Sequence, residues 1–413
     1  MAVTFPIFMN AYKKSNSNID ELLVTLILIT LPLGGYAINS IFVILFFLLS
    51  VYRFFTSKPS IVFSKIPFLF IAFYFFGVLS LLWTDSVKNT FEGLIRFLSY
   101  LVLPLAFMIN AENRFSIDKI FERFSKSMVF FALYCLIIGF IKVFKYDDIN
   151  FLFYHELSGN LSQLNAIYLS VFISLAIGFF LFKSEKSKAT LFYAIFLGVF
   201  LVLLSSKIII SMTFIFSIWY FFKNNFFKKG KPIHFITVIV MSFIFMISSI
   251  NFVNRFKTEF EKTKINEVLE TKDFGPVYLW TGVGLRVFQT KAFIEILTEK
   301  KRIFLGSGLN NSQEDLNNKY KEYNLYSGFL NYNYHNQYIQ IFAELGFVGL
   351  TLFLMILFII LKEAINNKNY FLFSFIIITS AVCITETFLW RQRGMVFFII
   401  ISLLLSRSKK LST

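Results

Sequence analysis

The sequence predicts an all-α polytopic membrane protein, and three observations carry that prediction. The chain is 57% hydrophobic and 20% aromatic and contains 59 Phe, far outside ordinary globular usage. Apolar runs recur along nearly its whole length, each near the roughly 20 residues that a helix needs to cross about 30 Å of hydrocarbon. Charged residues make up only 15% of the chain, and Lys and Arg concentrate in short segments between runs. Runs of this length select helices, which satisfy their own backbone groups inside a bilayer.

In order along the chain, Met1 to Asp20 is polar, with Lys13 and Lys14. The first apolar run leads into a second rather than to a small-residue cleavage site, so the first helix is expected to stay. Spans are expected at Leu22–Ala37, Ile41–Phe55, Ile66–Trp83, Leu94–Ile109, Met128–Phe144, Leu164–Phe182, Leu191–Ser205, Ile208–Phe222 and His234–Ile250. Three more follow at Glu344–Leu361, Phe371–Glu386 and Met395–Ser406, making about twelve crossings. The pairs within 22–55 and 191–222 read as tight hairpins. With the amino terminus inside, the clusters Arg53/Lys58/Lys65, Arg114/Lys119/Arg123/Lys126, Lys183/Lys186/Lys188, Lys223/Lys228/Lys229/Lys231 and Arg407/Lys409/Lys410 all fall on the cytoplasmic side. An even number of spans puts both termini there and leaves Asn251 to Gln337 outside. The chain thus divides into a helical membrane part over 1–250, an outer subdomain over 251–337, and a second membrane part over 338–413. Within the outer segment, Asn254–Leu269, Leu285–Leu297 and Gln313–Tyr323 read as amphipathic helices, punctuated by turns at Gly275-Pro276 and Gly306-Ser307-Gly308.

Composition also excludes. The formal charge of +16 lies largely in membrane-flanking segments and signals topology; a nucleic-acid partner would need a basic face interleaved with aromatics outside them. Cys135 and Cys383 sit inside apolar runs and read as buried thiols. No His, Cys or carboxylate cluster has metal-ligand spacing, and Gly306-Ser307-Gly308 is too short for a nucleotide fingerprint, so neither a metal nor a cofactor is expected.

The richest stretch runs from Tyr334 to Gly349, where a histidine leads a polar stripe into a membrane span. Asn336, Gln340 and Glu344 recur every fourth residue and share one helix face, which a plain lipid anchor does not need. His335 stands at the mouth of that span. It suits a general base, or equally a helix-start histidine satisfied by interfacial water. Arg286 opens an outer helix after Thr281-Gly282-Val283-Gly284, a geometry for holding phosphate or for an ordinary surface ion pair. Lys207, in Ser205-Ser206-Lys207, lies on the outer side between hairpin arms and fits an anionic headgroup or snorkelling to the interface. Glu386, Arg391 and Arg393 crowd one short outer turn, where the arginines are suited to pair with Glu386, to bind phosphate, or both. Asn336 stands beside His335 as a supporting group. Gly346 and Gly349 read as small residues that let two helices approach.

Taken together, the late outer loop, the Arg-bearing helix, the Gly-Ser-Gly turn and the His335-Asn336 to Glu344-Leu345-Gly346-Phe347-Val348-Gly349 pattern resemble the O-antigen ligase and O-antigen polymerase superfamily. The resemblance implies a GT-C-like membrane glycosyltransferase at the periplasmic face of the bacterial inner membrane, acting without metal and with inversion. Its donor would be an undecaprenyl-diphosphate-linked glycan. Its acceptor would be lipid A-core for a ligase, or another lipid-linked repeat unit for a polymerase. His335 then matches the family base and Arg286 the diphosphate-holding arginine, with Arg391 a further candidate. Lys207 stands where members commonly carry a second arginine, keeping the charge but losing the bidentate fork. A lipid-linked sugar transporter is the reading from another class; it would call for mid-membrane charges and matching halves, which are largely missing.

Overall fold

The structure, a computed structural model, describes residues 18–33, 36–110, 116–161, 164–183, 187–223 and 261–407, and among these it is helical with no strand. The first half holds α1 (18–30), α2 (Tyr36–Ser57), α3 (Lys65–Leu79), α4 (Val87–Phe97), α5 (Ser99–Ile109), α6 (Ile117–Tyr146), α7 (Tyr154–Gly159), α8 (Ala166–Phe182), α9 (Lys188–Leu203) and α10 (Lys207–Lys223). The outer segment supplies α11 (Ile265–Glu270), α12 (Gly282–Lys300) and α13 (Ser312–Glu322). α14 (Gln337–Asn366), α15 (Tyr370–Thr385) and α16 (Gln392–Arg407) follow. Each expected span within the described residues is helical over most of its length, although Leu22–Ala37 runs past the end of α1 and Leu94–Ile109 covers the end of α4 and the whole of α5. The span at His234–Ile250, most of the basic cluster around Lys228, and 254–260 of the first outer helix lie outside them.

Five helical stretches are long and apolar enough to cross a membrane: Ala37–Ser57, Lys65–Leu82, Val87–Ile109, Ile117–Tyr146 and Gln337–Asn366. Four shorter apolar helices accompany them, at Ala166–Phe182, Lys188–Leu203, Lys207–Tyr220 and Tyr370–Thr385. α8 and α16 are buried on nearly every side, as helices apolar all round must be. Phe397 of α16 packs against Phe124 of α6, Phe172 of α8 and Phe375 of α15 at centroid distances of 5.9, 4.6 and 5.9 Å. Much of the phenylalanine excess therefore fills the spaces between helices, where large flat side chains give dispersion contact without polar atoms.

Several elements depart from expectation for visible reasons. α4 begins two turns before Leu94 because its sequence is amphipathic: Thr90, Gly93, Leu94 and Phe97 are buried while Glu92 and Arg96 face out. α9 and α10 do not form an isolated hairpin; both lie against α8. The first outer helix is interrupted at Thr263 and Lys264, where the Thr263 hydroxyl bonds to that of Thr281. Arg53 is a structural residue besides any topological role, since it is buried and paired with Asp20 beside Asn110.

The largest departure concerns α14. Its helix breaks at Gly346, which has φ 64° and ψ −165°. The loop before α13 closes that break: the Ser307 and Gly308 N–H groups donate to the Ala343 and Glu344 carbonyls (3.0 and 2.8 Å). In return the Phe347 and Val348 N–H groups donate to the Ile303 and Phe304 carbonyls (2.8 and 3.3 Å). Gly306 and Gly346 are glycine because the two backbones touch, and a Cβ on Gly346 would run into the Phe304 carbonyl. So the Gly-Ser-Gly turn and the glycine of the polar stripe form one clasp, rather than a separate turn and a helix-helix seam. The break falls after Glu344, so the helix runs unbroken from Gln337 to Glu344 and its rise keeps that carboxylate away from the histidine. Glu344 accepts from Asn310 N (2.8 Å), Ser312 Oγ (3.0 Å) and Gln340 Nε2 (2.6 Å), fully buried.

Candidate active site

The start of α12, the start of α14 and the end of α15 meet at Thr385 and Glu386. Asn336 caps α14, its Oδ1 accepting from Tyr338 N and Ile339 N (2.9 and 3.1 Å), which fixes the helix start at Gln337, two residues after the histidine. His335 itself lies at φ 46°, a left-handed conformation that a non-glycine residue adopts only when its surroundings impose it. The imposing groups are identifiable. Asn333 Oδ1 accepts from His335 N at 2.9 Å, and Gln289 of α12 donates from Nε2 to the Asn333 carbonyl and the Tyr320 hydroxyl, both at 2.8 Å. The helix that carries Arg286 thereby also holds the loop that carries His335.

Oriented this way, His335 Nδ1 lies 3.4 Å from Glu386 Oε2, with the Tyr332 ring edge-on at 5.8 Å. Glu386 is 8% exposed, while the histidine side chain keeps 27% of its surface accessible. A proton on Nδ1 directed to the carboxylate leaves Nε2 as the acceptor. Arg286 donates from Nη2 to the Thr385 carbonyl (3.2 Å) and from Nη1 to Gly282 O (3.0 Å), and its Nε is buried without a partner. Its guanidinium therefore sits one residue from the carboxylate that faces His335.

Lys207 starts α10. Trp219 packs on Tyr370 and Phe216 on Phe373, an antiparallel register that carries the start of α10 to the level of the end of α15. The two arginines of the 386–394 turn separate. Arg393 is buried and donates to Leu33 O (3.1 Å), tying α16 to the end of α1. Arg391 is exposed and follows Trp390, whose ring lies 5.3 Å from the Arg96 guanidinium of α4. Glu386, expected among arginines, faces His335 instead. Among the described residues no group of three or more His, Cys, Asp or Glu side chains is arranged to hold a metal ion.

Three contributors escaped the sequence. Gln337 accepts from Leu389 N (2.9 Å) and so pins the turn after Glu386 to the first residue of α14. Gln289 looks like any helix glutamine; only its place one turn after Arg286, on the apolar side of α12, hinted that it is buried. His155 of α7 lies within reach of the Glu386 charge, and its Nδ1 accepts from Ala166 N at 3.3 Å. Burial holds its pKa below the ordinary histidine value, against the opposing charges of Glu386 and Glu156.

Residues 191–354, about two-fifths of the chain, match the family model described as O-antigen ligase. The matched segment includes Lys207, Arg286, His335, Asn336 and the Gly346 clasp; Glu386, Arg391 and Arg393 lie beyond it. No curated protein matches the chain.

Proposed function

We propose, from the match of residues 191–354 to the O-antigen ligase family model, that this membrane protein is a glycosyltransferase that moves a glycan from undecaprenyl diphosphate to a sugar hydroxyl of lipid A-core. It would do so at the periplasmic face of the inner membrane, with both termini cytoplasmic. The observation that carries the reading is the approach of His335 to Glu386, with the Arg286 guanidinium on the adjacent carbonyl. In the proposed step the acceptor oxygen attacks the anomeric carbon from the face opposite the diphosphate, and His335 Nε2 takes the hydroxyl proton. The bond from the anomeric carbon to the phosphate oxygen breaks, and its electron pair leaves with the lipid diphosphate. Arg286 and Lys207 offset the charge that builds there, which is the larger share of the catalysis, while Glu386 stabilises the protonated imidazole. The configuration at the anomeric carbon inverts because the displacement is single.

A polymerase would use the same groups with a second lipid-linked repeat unit as acceptor. The test is the lipopolysaccharide gel profile of a deletion strain complemented with wild type or His335→Ala, at matched membrane levels. General-base loss typically costs about 10²-fold to 10⁴-fold, so the variant should leave polymer off lipid A-core while lipid-linked polymer accumulates. A single repeat unit retained on the core would identify a polymerase. A normal profile with His335→Ala sinks the assignment.

A further inference from the structure

The stretch of chain that leads into His335 differs in chemistry from its surroundings. From Tyr323 to Ala343 it carries no Asp, Glu, Lys or Arg, and from Asn324 to Asn333 it is built of Tyr, Asn, Ser, Gly, Phe and Leu alone. Two successive turns fold it. The Phe329 N–H donates to the Tyr326 carbonyl in a 3₁₀ turn, where side chains three apart eclipse, and the Tyr332 N–H donates to the Phe329 carbonyl, both at 3.0 Å. The second turn passes through Leu330 (φ −56°, ψ 138°) and a left-handed Asn331 (φ 68°). As folded, the rings of Tyr326, Phe329, Tyr332 and His335 succeed one another at centroid distances of 6.0, 5.6 and 5.8 Å, each edge-on to the next. Phe329, partly buried, anchors the series on Trp280 at 6.2 Å. Tyr326 and Tyr332 stay 55% and 45% exposed. Gly328 lets the Tyr326 ring lie over the backbone, since a Cβ there would meet that ring. Carboxamides hold the same loop from α13. Gln313 Nε2 donates to the Tyr332 carbonyl and to Asn317 Oδ1, both at 3.0 Å, while Asn317 Nδ2 donates to Asn331 Oδ1 (3.1 Å) and Asn331 N to Asn317 Oδ1 (2.9 Å).

This surface selects its ligand by chemistry. A phosphate or sulfate calls for cations, which the stretch lacks. An acyl chain would desolvate the amides without replacing their hydrogen bonds. A pyranose ring suits both parts: its C–H face lies on an aromatic face, and its hydroxyl rim exchanges hydrogen bonds with carboxamides. Tyr with Asn, Ser and Gly is also the composition of binding surfaces that combine rigid aromatic contact with adaptable hydrogen bonding. We infer that Tyr326 and Tyr332, flanking the anchored Phe329, form a stacking platform for the pyranose rings of a neutral glycan that ends at His335. Resting on the transferase reading above, this glycan is a saccharide being joined, from the acceptor or from the donor. Tyr332, beside the imidazole, takes the sugar nearest the reaction, and Tyr326 takes one farther along, so the platform sets where the reacting unit meets the base.

The experiment is saturation-transfer NMR on the purified full chain in nanodiscs, with the aromatic protons of the protein irradiated. The probes are the delipidated core oligosaccharide and the free repeat-unit saccharide of the source strain, with glycerol 3-phosphate as a charged compound that is not a sugar. For at least one saccharide, wild type and His335→Ala should show transfer strongest at sugar C–H protons. Tyr332→Ala and Tyr326→Ala should each weaken its binding by about fivefold to tenfold. Tyr332→Phe should keep it, because stacking needs the ring and not the hydroxyl. The saccharide that responds assigns the platform to acceptor or to donor. Binding unchanged in both alanine variants, or lost as fully in Tyr332→Phe as in Tyr332→Ala, would overturn the platform. Glycerol 3-phosphate bound as tightly as either saccharide would overturn it too. Glycan transfer by wild-type membranes is scored separately: saccharide binding without transfer would sink the transferase reading and leave the platform standing, while transfer with tyrosine-independent binding would sink the platform alone.

Discussion

At the scale of single residues, the candidate site depends on one long hydrogen bond, from His335 to Glu386 at 3.4 Å. Glu386→Gln keeps the size but removes the charge that stabilises a protonated imidazole. We expect kcat to fall by about 10-fold to 10²-fold, below the roughly 10⁴-fold of a tightly coupled buried triad, with the KM for the lipid-linked donor unchanged. A KM that rises while kcat holds would mean that Glu386 only shapes the donor pocket. His155 gives a separate handle, through pH. Its folded pKa is depressed by burial, so between that value and the unfolded value of about 6.5 the unfolded chain binds more protons. Stability is therefore lost as pH falls through about 6.5, and a proton on Nδ1 also removes the acceptor for Ala166 N. The melting temperature in detergent should drop between pH 7.5 and 5.5, and His155→Gln should shrink that drop. An undiminished drop would place the responsible group elsewhere.

At the scale of elements, the clasp between the Gly306 loop and the broken α14 positions everything near it. Gly346→Ala should destabilise the protein by about 3 kcal/mol or more, because it adds a clash with the Phe304 carbonyl to a backbone conformation that only glycine adopts readily. Gly275→Ala is the internal control. It has φ 68° but open space around its Cβ, so it should cost only about 1–2 kcal/mol. Thermal denaturation followed by size-exclusion chromatography separates the two, and equal costs would mean that the clasp contributes nothing beyond backbone strain. The same region shows why part of the site was hidden in the sequence. Asn336, Gln340 and Glu344 were legible as one polar face because helical periodicity is local. The partner of that face was not legible: Asn310 and Ser312 lie some thirty positions earlier in the chain, and their pairing with Glu344 needs a break that one glycine, common in membrane helices, does not announce. Glu386 was noticed for its charge but matched with arginines, since sequence proximity favoured them over a histidine 51 positions away.

At the scale of the whole molecule, the apolar helices were legible because a long apolar run is its own signal, and the expected ranges on described residues are helical over most of their length. How many of these helices cross, and which way, depends on charge. The segment proposed to lie outside, 251–337, tests that argument, because there its many Lys and Arg would be on the side where they should be scarce. Several are engaged there: Lys319 contacts Glu295, Glu299 and Glu322, Lys300 pairs with Asp315, and Arg302 pairs with Asp85. Long outer segments also translocate largely regardless of charge, so the short basic segments between spans retain control of orientation. Both native cysteines are buried, which leaves a silent background for labelling. Tyr326→Cys, at a position 55% exposed in the outer segment, should react with a membrane-impermeant maleimide in intact spheroplasts. Lys362→Cys, at an exposed position near the far end of α14, should react only after lysis. The reverse pattern would put the His335 site in the cytoplasm, where a periplasmic glycan donor cannot reach it, and the orientation and the transferase reading would fall together.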